Sequence, residues 1–459
     1  MYDVVIVGAG PVGLATAIGL YNRGITNILV IDKTRAFQRV GQRIDLLPNG
    51  LKALKKIDLN AYEAVKAAGI KIPTSVDNSK KPQWKTRNAK GEDRSKSSIS
   101  LNYEDWFKLY GEGRTPINWY DLQTILRNQL PADLVVANHR CTNIFQEADF
   151  VKIDCLCNAK IEANPYAYWD ENKTAKEKDP ESILKSFQAK IVVAADGINS
   201  RIRQILYKNT PHSDFAKPEY VGFAAISCRG IELPETIATE IQTKFLQNNP
   251  VVSISIENNS SQKNNLSGVV LFCRESKYGY LIHIALPLEA TKDRSGRDLI
   301  DLILKQLENS DLPTSIRELV SKSDPEAIVK RLYYIHRATI SDSMTFPDTA
   351  KLVTKNTDRA IEPTWNRGRV VLVGDAAHGM PPFMAQGANQ GLEDAAVITD
   401  LISNFNNWEN TEAIERAFLS YEKLRRPLIN LVQETTIKQY ISLSKQELQQ
   451  YSQQVYGRN

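Results

Sequence analysis

The first thirty residues place two short apolar runs on either side of a glycine-rich turn and a helical pattern. Residues 2–7 and 28–31 are rich in β-branched side chains, and the helical pattern over residues 14–23 stops at Gly24. A glycine directly after a helix favours the left-handed conformation that ends many helices. Both apolar runs lack alternation, which is typical of parallel strands covered on both faces. The pattern predicts a strand–helix–strand unit.

Apolar runs of the same kind return in the middle and near the end of the chain, with a different pattern between them. Residues 191–195 and 369–373 are continuous apolar runs, whereas residues 218–290 hold short runs separated by polar turns. The first kind predicts buried parallel strands, and the second predicts antiparallel sheet. Further predicted elements are a helix near 121–130, strands near 134–137 and 151–157, and helical segments over 296–322.

A last helix is predicted over residues 411–426, with one apolar face that should turn to the core. Residues 71–99 and 171–186 are polar and turn-rich, which predicts surface excursions, and residues 446–459 are polar and rich in Gln and Tyr. The predicted core-facing residues of the last helix are Ile414, Phe418, Tyr421 and Leu424.

Parallel-sheet segments at the start, middle and end of the chain predict an α/β fold with one discontinuous domain. We expect a Rossmann-like domain assembled from residues 1–70, 100–210 and 345–405, with an antiparallel-sheet domain inserted into it. The inserted domain and the excursions should comprise residues 71–99 and 211–344, and a helical region should follow over residues 406–459.

Composition and charge narrow the class of protein. The chain has 459 residues, 42% hydrophobic and 24% charged, and a formal net charge of +5, which are ordinary values for a globular protein. The small positive charge argues weakly for anionic ligands. The sequence has no basic block interleaved with aromatic residues, so nucleic-acid binding is not predicted. The sequence contains no run of about 18 apolar residues, so no membrane span is predicted. No signal peptide is predicted either.

The five cysteines predict no metal site. Cys155 and Cys157 lie two apart in an alternating run, so both side chains should lie on one face of a strand. Buried reduced thiols are the expected interpretation, which fits a reducing compartment and a cytoplasmic location.

The glycine turn after the first strand has the spacing of a dinucleotide site. Gly8 allows a tight turn, Gly10 lets the backbone approach a pyrophosphate, and Gly13 lets the helix pack closely on the strand. The N–H groups that open the following helix favour phosphate. Asp32 ends the second strand, where an acid can accept a hydrogen bond from a ribose hydroxyl. The alternative is a glycine-rich turn that serves packing only.

Two further strands run into acidic turns. Asp196-Gly197 ends the middle strand, where the alternative is an ordinary Asp-Gly turn, and Gly374-Asp375 follows the late strand. Pro381 and Pro382 then fix the backbone, and a helix starts near residues 387–389. Its N-terminal dipole would stabilise a ligand that becomes anionic, as a flavin ring does on reduction. We interpret His378 as a loop residue, since no metal-ligand spacing surrounds it.

Taken together, these three stretches resemble the FAD-dependent aromatic hydroxylases of the para-hydroxybenzoate hydroxylase fold, the group A flavoprotein monooxygenases. The resemblance spans roughly residues 1–435 and includes a closing helix, "YEKLRRP" at 421–427, for which we expect a packing role. It implies that the glycine turn contacts the FAD pyrophosphate, that Asp196-Gly197 serves both FAD and NAD(P)H, and that Asp375 holds the ribityl or pyrophosphate region. The implied cofactor-binding residues are Gly8, Gly10, Pro11, Val12, Gly13, Asp32, Lys33, Gln42, Arg43, Asp196, Gly197, Gly374, Asp375, Pro382, Gly387, Ala388 and Asn389.

The chain departs from the family pattern at three positions. Ala194 and Ala385 stand where the family usually has Gly, and the second change narrows the backbone conformations of its loop. Trp119 stands where the family usually has an Arg that contacts FAD. Arg43 or Arg127 would then supply the positive charge, or the site would be less basic.

The resemblance implies a monooxygenase. NAD(P)H would reduce FAD, O2 would add to flavin carbon 4a, and the hydroperoxide would hydroxylate or epoxidise a small aromatic or polycyclic substrate. No second G-x-G-x-x-G is present, which fits transient docking of NAD(P)H. No catalytic acid or base is predicted, and the sequence selects no oligomeric state. The candidate substrate-pocket residues are Tyr220, Tyr280, His283, Pro382, Phe383 and Met384.

Two alternatives stay open. One is an FAD-dependent reductase or dehydrogenase of the same fold that transfers no oxygen, and the other is a non-catalytic flavin-binding protein. The W-x-W-x-I-P signature of flavin halogenases is absent from the sequence, which disfavours that branch.

Overall fold

The computed structural model describes residues 1–34, 43–70, 83–94, 99–100, 103–158, 182–247, 249–256, 266–340, 362–405, 408–439 and 444–458. The strands are β1 (Tyr2–Val7), β2 (Ile28–Ile31), β3 (Arg43–Leu46), β4 (Gln83–Arg87), β5 (Ile99–Ser100), β6 (Thr115–Asn118), β7 (Val135–Val136), β8 (Arg140–Gln146), β9 (Val151–Asn158), β10 (Ser182–Ala194), β11 (Glu219–Ile231), β12 (Val251–Ile254), β13 (Leu266–Arg274), β14 (Lys277–Ala285), β15 (Val329–Ile335), β16 (Asn366–Arg367) and β17 (Val370–Leu372). The helices are α1 (Pro11–Tyr21), α2 (Pro48–Ile57), α3 (Leu59–Ala68), α4 (Tyr103–Tyr110), α5 (Trp119–Arg127), α6 (Arg201–Tyr207), α7 (Glu235–Glu240), α8 (Leu288–Thr291), α9 (Gly296–Glu308), α10 (Thr314–Ser321), α11 (Asp375–His378), α12 (Gly387–Ser403), α13 (Thr411–Gln439) and α14 (Lys445–Tyr456).

The first sheet contains the predicted parallel strands. Its order is β16-β17-β10-β1-β2-β7, with β9 and β8 continuing from β10. Strand β1 pairs in parallel with β2 on one side and with β10 on the other, and β10 pairs in parallel with β17. Val4, Val5 and Ile6 are fully buried, as expected for strands covered on both faces. The predicted α/β fold is confirmed, with strands from three distant parts of the chain side by side.

The second sheet is mainly antiparallel, in the order β15-β11-β14-β13-β12-β4-β5. On one face it packs against helices α9 and α10 through a core that includes Ile226, Ile282 and Ile303. The other face carries Ala225 and Tyr333 and turns toward the loop that precedes α12. Part of the predicted surface excursion belongs to this sheet, because β4 pairs in parallel with β12. Residues 71–82 of that excursion lie outside the described residues.

Strand β10 is longer than the apolar pattern predicts. Its first eight residues pair with β9, from Ser182 opposite Asn158 to Ala189 opposite Val151, before the strand enters the parallel sheet. The prediction of a surface excursion is therefore wrong for residues 182–186. Polar residues form a strand here because β9 supplies the hydrogen bonds, and that pairing is not visible in the local pattern.

The long helix α13 corrects two predictions. It runs through Pro427 as far as Gln439 instead of ending at residue 426. Leu424 is 63% exposed, whereas Ile414, Phe418 and Tyr421 are buried as predicted. Helical spacing places Arg425 in the fourth position of that stripe, and Arg425 is buried.

Two smaller features complete the fold. Helix α1 begins at Pro11, three residues before the predicted start, because proline suits the first turn of a helix. In the described residues, no helix is both long enough and apolar enough to cross a lipid bilayer.

Candidate active site

The glycine turn lies between β1 and α1, against the end of β10. Gly8 has φ of +110°, and a Cβ there would lie 2.3 Å from the carbonyl oxygen of Ala195. A Cβ on Gly13 would lie 1.9 Å from the carbonyl oxygen of Gly8, so both glycines are required by packing. A Cβ on Gly10 would meet no protein atom within 4 Å. Gly10 therefore faces open space beside the N-terminus of α1, which leaves room for a diphosphate.

Asp32 supports the glycine turn from the end of β2. Its Oδ2 accepts a hydrogen bond of 2.7 Å from the N–H of Ala9, and its Oδ1 accepts one of 2.7 Å from the N–H of Thr34. Each carboxylate oxygen keeps a further acceptor site, which a ribose hydroxyl could use. Lys33, the next residue, is exposed.

Gln123 contacts the glycine turn, although no sequence pattern pointed to it. Its Nε2 donates a hydrogen bond of 2.7 Å to the carbonyl oxygen of Ala9, and its side chain is buried. Helix α5 thus holds the turn from outside the strand–helix–strand unit. A single glutamine on an amphipathic helix gives no sequence signal for this contact.

The Asp196-Gly197 turn at the end of β10 caps helix α6. Asp196 accepts hydrogen bonds from Ser200 Oγ at 2.6 Å and from the N–H groups of Arg201 at 2.7 Å and Ile202 at 3.2 Å. Burial raises the pKa of Asp196, and these hydrogen bonds oppose the shift. Gly197 has φ of +81° with open space at its Cβ position. Asp196 therefore has a structural role as a cap, and its contact with FAD or NAD(P)H stays a prediction.

Asp375 begins the short helix α11, three residues after the end of β17. A Cβ on Gly387 would lie 3.6 Å from Asp375 Oδ1, so the carboxylate is adjacent to the first residue of α12. Solvent reaches Asp375. Protein nevertheless surrounds its site on the other sides, and this burial raises its pKa. An accessible carboxylate beside the first residue of a helix can accept a hydrogen bond from a sugar hydroxyl.

The loop before α12 is fixed by one polar side chain. Asn389 is fully buried, and its Oδ1 accepts from the N–H of Leu47 at 2.9 Å. Its Nδ2 donates to the carbonyl oxygens of Asp45 at 2.9 Å and of Ala385 at 2.6 Å. Asn389 therefore positions the N-terminus of α12 against β3. Ala385 has φ of +53°, a left-handed conformation that disfavours any residue with a Cβ.

A buried charge network lies behind the Gly374-Asp375 turn. Asp394 Oδ2 accepts from the N–H of Gly374 at 2.8 Å and lies 2.6 Å from His378 Nε2, while its Oδ1 lies 2.7 Å from Arg425 Nε. Burial alone would raise the pKa of Asp394, but His378 and Arg425 outweigh it and hold that pKa at about 2. His378 thus anchors the turn through Asp394, and it ends the short helix α11 instead of lying in a loop as predicted.

An aromatic pocket faces this region from the second sheet. His283 Nε2 lies 3.3 Å from the hydroxyl of Tyr333, and the Phe383 ring packs edge-on against His283 at 5.6 Å and against Tyr333 at 5.0 Å. Tyr333 was missed by the sequence analysis, since an aromatic residue on a strand carries no signal of which face it takes. Phe383 belongs to the loop before α12, so it joins the pocket to the turn that holds Asp375.

The other predicted pocket residues lie elsewhere. Tyr280 is on the opposite face of the sheet, where its hydroxyl lies 2.8 Å from Ser323 Oγ in the core. Alternate strand residues point to opposite faces, and Tyr280 and His283 are three positions apart. Tyr220 donates to the carbonyl oxygen of Leu286 at 3.1 Å. Pro382 is exposed. Met384 is buried in a separate cluster with helices α13 and α14.

The remaining predicted residues occupy different places. Arg43 begins β3 and is exposed, and Arg127 ends α5. Gln42 lies outside the described residues. Gly387 and Ala388 open α12 and are half-buried. Within the described ranges no group of three or more His, Cys, Asp or Glu could hold a metal ion.

The arrangement fits FAD. Open space at Gly10, the acceptor sites of Asp32 and the accessible carboxylate of Asp375 lie at the carboxyl ends of β1, β2 and β17. Ligands of open α/β sheets bind at this edge. The fold and the site define a flavoprotein of the class that binds FAD in a Rossmann-like domain.

Comparisons with known proteins agree with this class. The family described as "FAD binding domain" matches residues 1–47 and 312–436. The "FAD-dependent monooxygenase ptmM" of Penicillium ochrochloron is 22% identical over 448 residues, covering 95% of this chain and 87% of the relative. The "6-hydroxynicotinate 3-monooxygenase" of Bordetella bronchiseptica is 24% identical over 434 residues, covering 94% and 89%. A solved salicylate hydroxylase substrate complex has a TM-score of 0.65 at 17% identity, covering 98% and 92%. Over nearly its whole length the chain is similar to FAD-dependent monooxygenases, and its first and last parts match an FAD-binding domain.

Proposed function

We propose that this protein uses NAD(P)H and O2 to hydroxylate or epoxidise a small aromatic or polycyclic substrate. The observation that carries the proposal is the position of Phe383. This residue packs against His283 and Tyr333 of the second sheet, and its loop leads directly into Gly387 beside Asp375. One loop therefore joins the FAD end of the site to an aromatic pocket, as a monooxygenase requires.

At the cofactor end, we assign the diphosphate to the turn at Gly10 and the N-terminus of α1, and the adenosine ribose to Asp32. Asp375 and the first turn of α12 would hold the ribityl chain and the flavin. Bound FAD would supply the redox chemistry, while the protein supplies position and exclusion of water. The helix dipole of α12 favours negative charge near its N-terminus, where the reduced flavin ring would be anionic.

At the substrate end, the pocket offers neutral hydrogen-bonding groups among apolar side chains. Burial lowers the pKa of His283 to about 4 and raises the pKa of Tyr333 to about 12, so both are uncharged at neutral pH. Val221, Ala225 and Ile335 form the apolar surroundings. A planar ring bearing a hydroxyl, amino or carbonyl group fits this combination. Similarity to a 6-hydroxynicotinate 3-monooxygenase supports an aromatic substrate.

We further propose a cytoplasmic location. All five cysteines are free thiols, and four of them are buried. A reducing compartment that also supplies NAD(P)H fits both features.

The test is a coupled assay on the purified full-length protein loaded with FAD. NAD(P)H oxidation and O2 uptake are measured in the presence of each member of a panel of phenols, aminophenols, hydroxypyridines and polycyclic aromatics. The masses of the products are determined by mass spectrometry. We expect at least one compound to accelerate NAD(P)H oxidation and to gain one oxygen atom. Flavin reduction by NAD(P)H without any oxygenated product would instead indicate a reductase, and a colourless protein that refuses FAD would contradict the cofactor itself.

A further inference from the structure

Arg114 is a buried guanidinium next to the candidate FAD site. It directly precedes β6, its side chain is 7% exposed, and its Nη2 lies 2.8 Å from Asp45 Oδ2 on the neighbouring strand β3. Lone buried charges are strongly disfavoured, so the ion pair explains how Arg114 can be buried. The ion pair does not satisfy every N–H donor of the Arg114 guanidinium group.

The ion pair is incomplete on both sides. Nη1 of Arg114 is buried and has no hydrogen-bond partner among the described residues, and the same holds for Oδ1 of Asp45. Buried donors in folded proteins are nearly always satisfied, and an arginine donor is costly to leave unpaired. An orphaned N–H group of a cation therefore points to an acceptor that arrives with a ligand.

The position of the Arg114–Asp45 ion pair indicates which part of the candidate site the ligand would contact. The carbonyl oxygen of Asp45 accepts from Asn389 Nδ2 at 2.9 Å, so the pair lies against the first turn of α12. Helix α5 follows β6 directly, and its Gln123 bonds to Ala9 in the glycine turn. The β6–α5 segment thus runs between the two places assigned to opposite ends of FAD.

The local charge balance favours an anion. Arg43 and Arg114 are two cations beside the carboxylate of Asp45, whereas the nearby buried carboxylate of Glu112 accepts hydrogen bonds from Tyr62 and Tyr103. Arg43 and Asp45 are two residues apart on β3, so their side chains project from the same face of the strand. The FAD diphosphate is anionic, and the chain has Trp119 where an arginine would otherwise provide charge.

We infer that Arg114 binds FAD, with its Nη1–H group donating to an acceptor oxygen of the cofactor and replacing the charge that Trp119 lacks. This inference rests on the proposed function only in taking FAD as the cofactor. It adds a binding residue that no motif marks, because the arginine sits on a short strand between two unrelated patterns. A carboxylate on the organic substrate is the competing acceptor, and the experiment below separates the two.

The experiment measures FAD affinity directly and needs no turnover. Purified full-length protein is stripped of flavin and titrated with FAD while flavin fluorescence is followed. Arg114→Gln should weaken FAD binding about 10- to 100-fold, as expected for the loss of one charge-assisted hydrogen bond. Raising the salt concentration should weaken binding by the wild type more than by Arg114→Gln, since only the wild type keeps the charge.

The matched control is Arg87, another buried arginine with an unpartnered donor among the described residues. It lies on β4 of the second sheet, where it donates to Gly91 O at 3.0 Å and to Gln247 Oε1 at 2.7 Å. Arg87→Gln should lower the unfolding midpoint but change the Kd for FAD less than about 3-fold, because only contact with the cofactor alters its affinity directly. Asp45→Asn keeps an acceptor and Arg114, and should also change the Kd for FAD less than about 3-fold.

Three results would overturn the inference. An unchanged Kd for FAD in Arg114→Gln would remove the contact, and an equal loss in Asp45→Asn would mean that Arg114 acts only by holding β3. A raised KM for the organic substrate with an unchanged Kd for FAD would assign Arg114 to the substrate. If Arg114→Gln does not fold, Arg114→Lys decides: it keeps the charge but loses the planar fork, so about 3- to 10-fold weaker FAD binding is expected and an unchanged Kd refutes the inference. A wild type that binds no FAD would refute the proposed function separately.

Discussion

Arg425 on α13 and Asp394 on α12 form a fully buried ion pair, with Arg425 Nε 2.7 Å from Asp394 Oδ1. The same aspartate holds the N–H of Gly374 and the imidazole of His378. A helix far along the chain is thereby tied to the turn that presents Asp375. This network holds the cofactor turn in place beside the hydrophobic core that buries Ala376 and Ala377.

Removal of Arg425 should therefore be severe. Arg425→Met leaves Asp394 buried without its guanidinium partner, and we expect a loss of about 3–5 kcal/mol in the free energy of unfolding. Urea denaturation followed by far-UV circular dichroism measures it. Leu424→Ala, one residue away on the exposed face, should change the free energy of unfolding by less than about 0.5 kcal/mol. Equal effects of the two substitutions would contradict the helix register described above.

Ala385→Gly should stabilise the protein. Ala385 has φ of +53° and ψ of 33°, which costs a residue with a Cβ about 1–2 kcal/mol relative to glycine. Glycine loses more conformational entropy on folding, so the expected net gain is about 0.5–1 kcal/mol. Differential scanning calorimetry should show a raised Tm. The control is Ala388→Gly inside the first turn of α12, which should lower the Tm instead.

Acidification should destabilise the protein through His336. This side chain is 2% exposed, and its Nε2 lies 2.8 Å from the carbonyl oxygen of Ile198. Burial, with help from nearby Arg203, lowers its pKa from 6.5 to about 2. The unfolded chain therefore binds a proton that the folded chain refuses between these two values, and stability falls as pH falls below 6.5. From pH 7 to pH 5 the expected loss is about 2 kcal/mol.

His336→Gln provides the check on that assignment. The amide can still donate to Ile198 but does not titrate, so the free energy of unfolding should depend less on pH between 7 and 5. Urea denaturation at each pH, for both proteins, measures the difference. Identical slopes in the wild type and the variant would mean that another group causes the acid sensitivity.

The C-terminal helix α14 should be essential to stability. Tyr456 is buried, its ring packs against Trp106 at 5.3 Å and against Tyr110 at 5.4 Å, and Lys52 Nζ donates to its carbonyl oxygen at 3.2 Å. Tyr456→Ala should cost about 3–5 kcal/mol in the free energy of unfolding. Gln454→Ala on the exposed side of the same helix is the matched control, with an expected change below about 0.5 kcal/mol. Denaturation curves of the two variants test the packing, and similar midpoints would contradict it.

Substitutions on the two faces of the second sheet should differ in their effects on the KM for the organic substrate. Tyr333 faces Phe383 and the proposed substrate pocket, whereas Tyr280 faces the core. Tyr333→Phe should raise the KM for the organic substrate about 5- to 20-fold through loss of one hydrogen bond, with little change in stability. Tyr280→Phe should leave KM unchanged and cost about 1 kcal/mol of stability, because its partner Ser323 stays buried. A raised KM in Tyr280→Phe would place the substrate on the other face.

Some parts of this protein follow from short stretches of sequence. The glycine turn could be predicted from its spacing, because Gly13 packs against Gly8 within the turn and Gly8 has a positive φ that favours glycine. The apolar runs of β1, β2 and β17 identify strands covered on both faces. The acids that follow β2, β10 and β17 could be predicted too, since the carboxyl edge of a parallel sheet is fixed by chain direction. The resemblance to FAD-dependent hydroxylases rested on these local features.

Other parts depend on partners that lie far away in the chain. The sequence of residues 182–186 is typical of a loop, but these residues form a strand because β9 supplies their hydrogen bonds. The sequence also predicts Leu424 in the core, whereas Arg425 is buried there because it pairs with Asp394 and Glu393. The sequence also could not decide that His283 faces the pocket while Tyr280 faces the core, because both lie on one strand with aromatic neighbours.

The sequence by itself determined where the backbone must bend sharply and which strands are buried, because backbone sterics and the removal of apolar side chains from water act over a few residues. The tertiary structure alone decided which polar side chains are buried with a partner, among them Arg425, Asn389 and Arg114. A buried charge or amide is stable only when a complementary group meets it, and that group is contributed by a segment tens or hundreds of residues away.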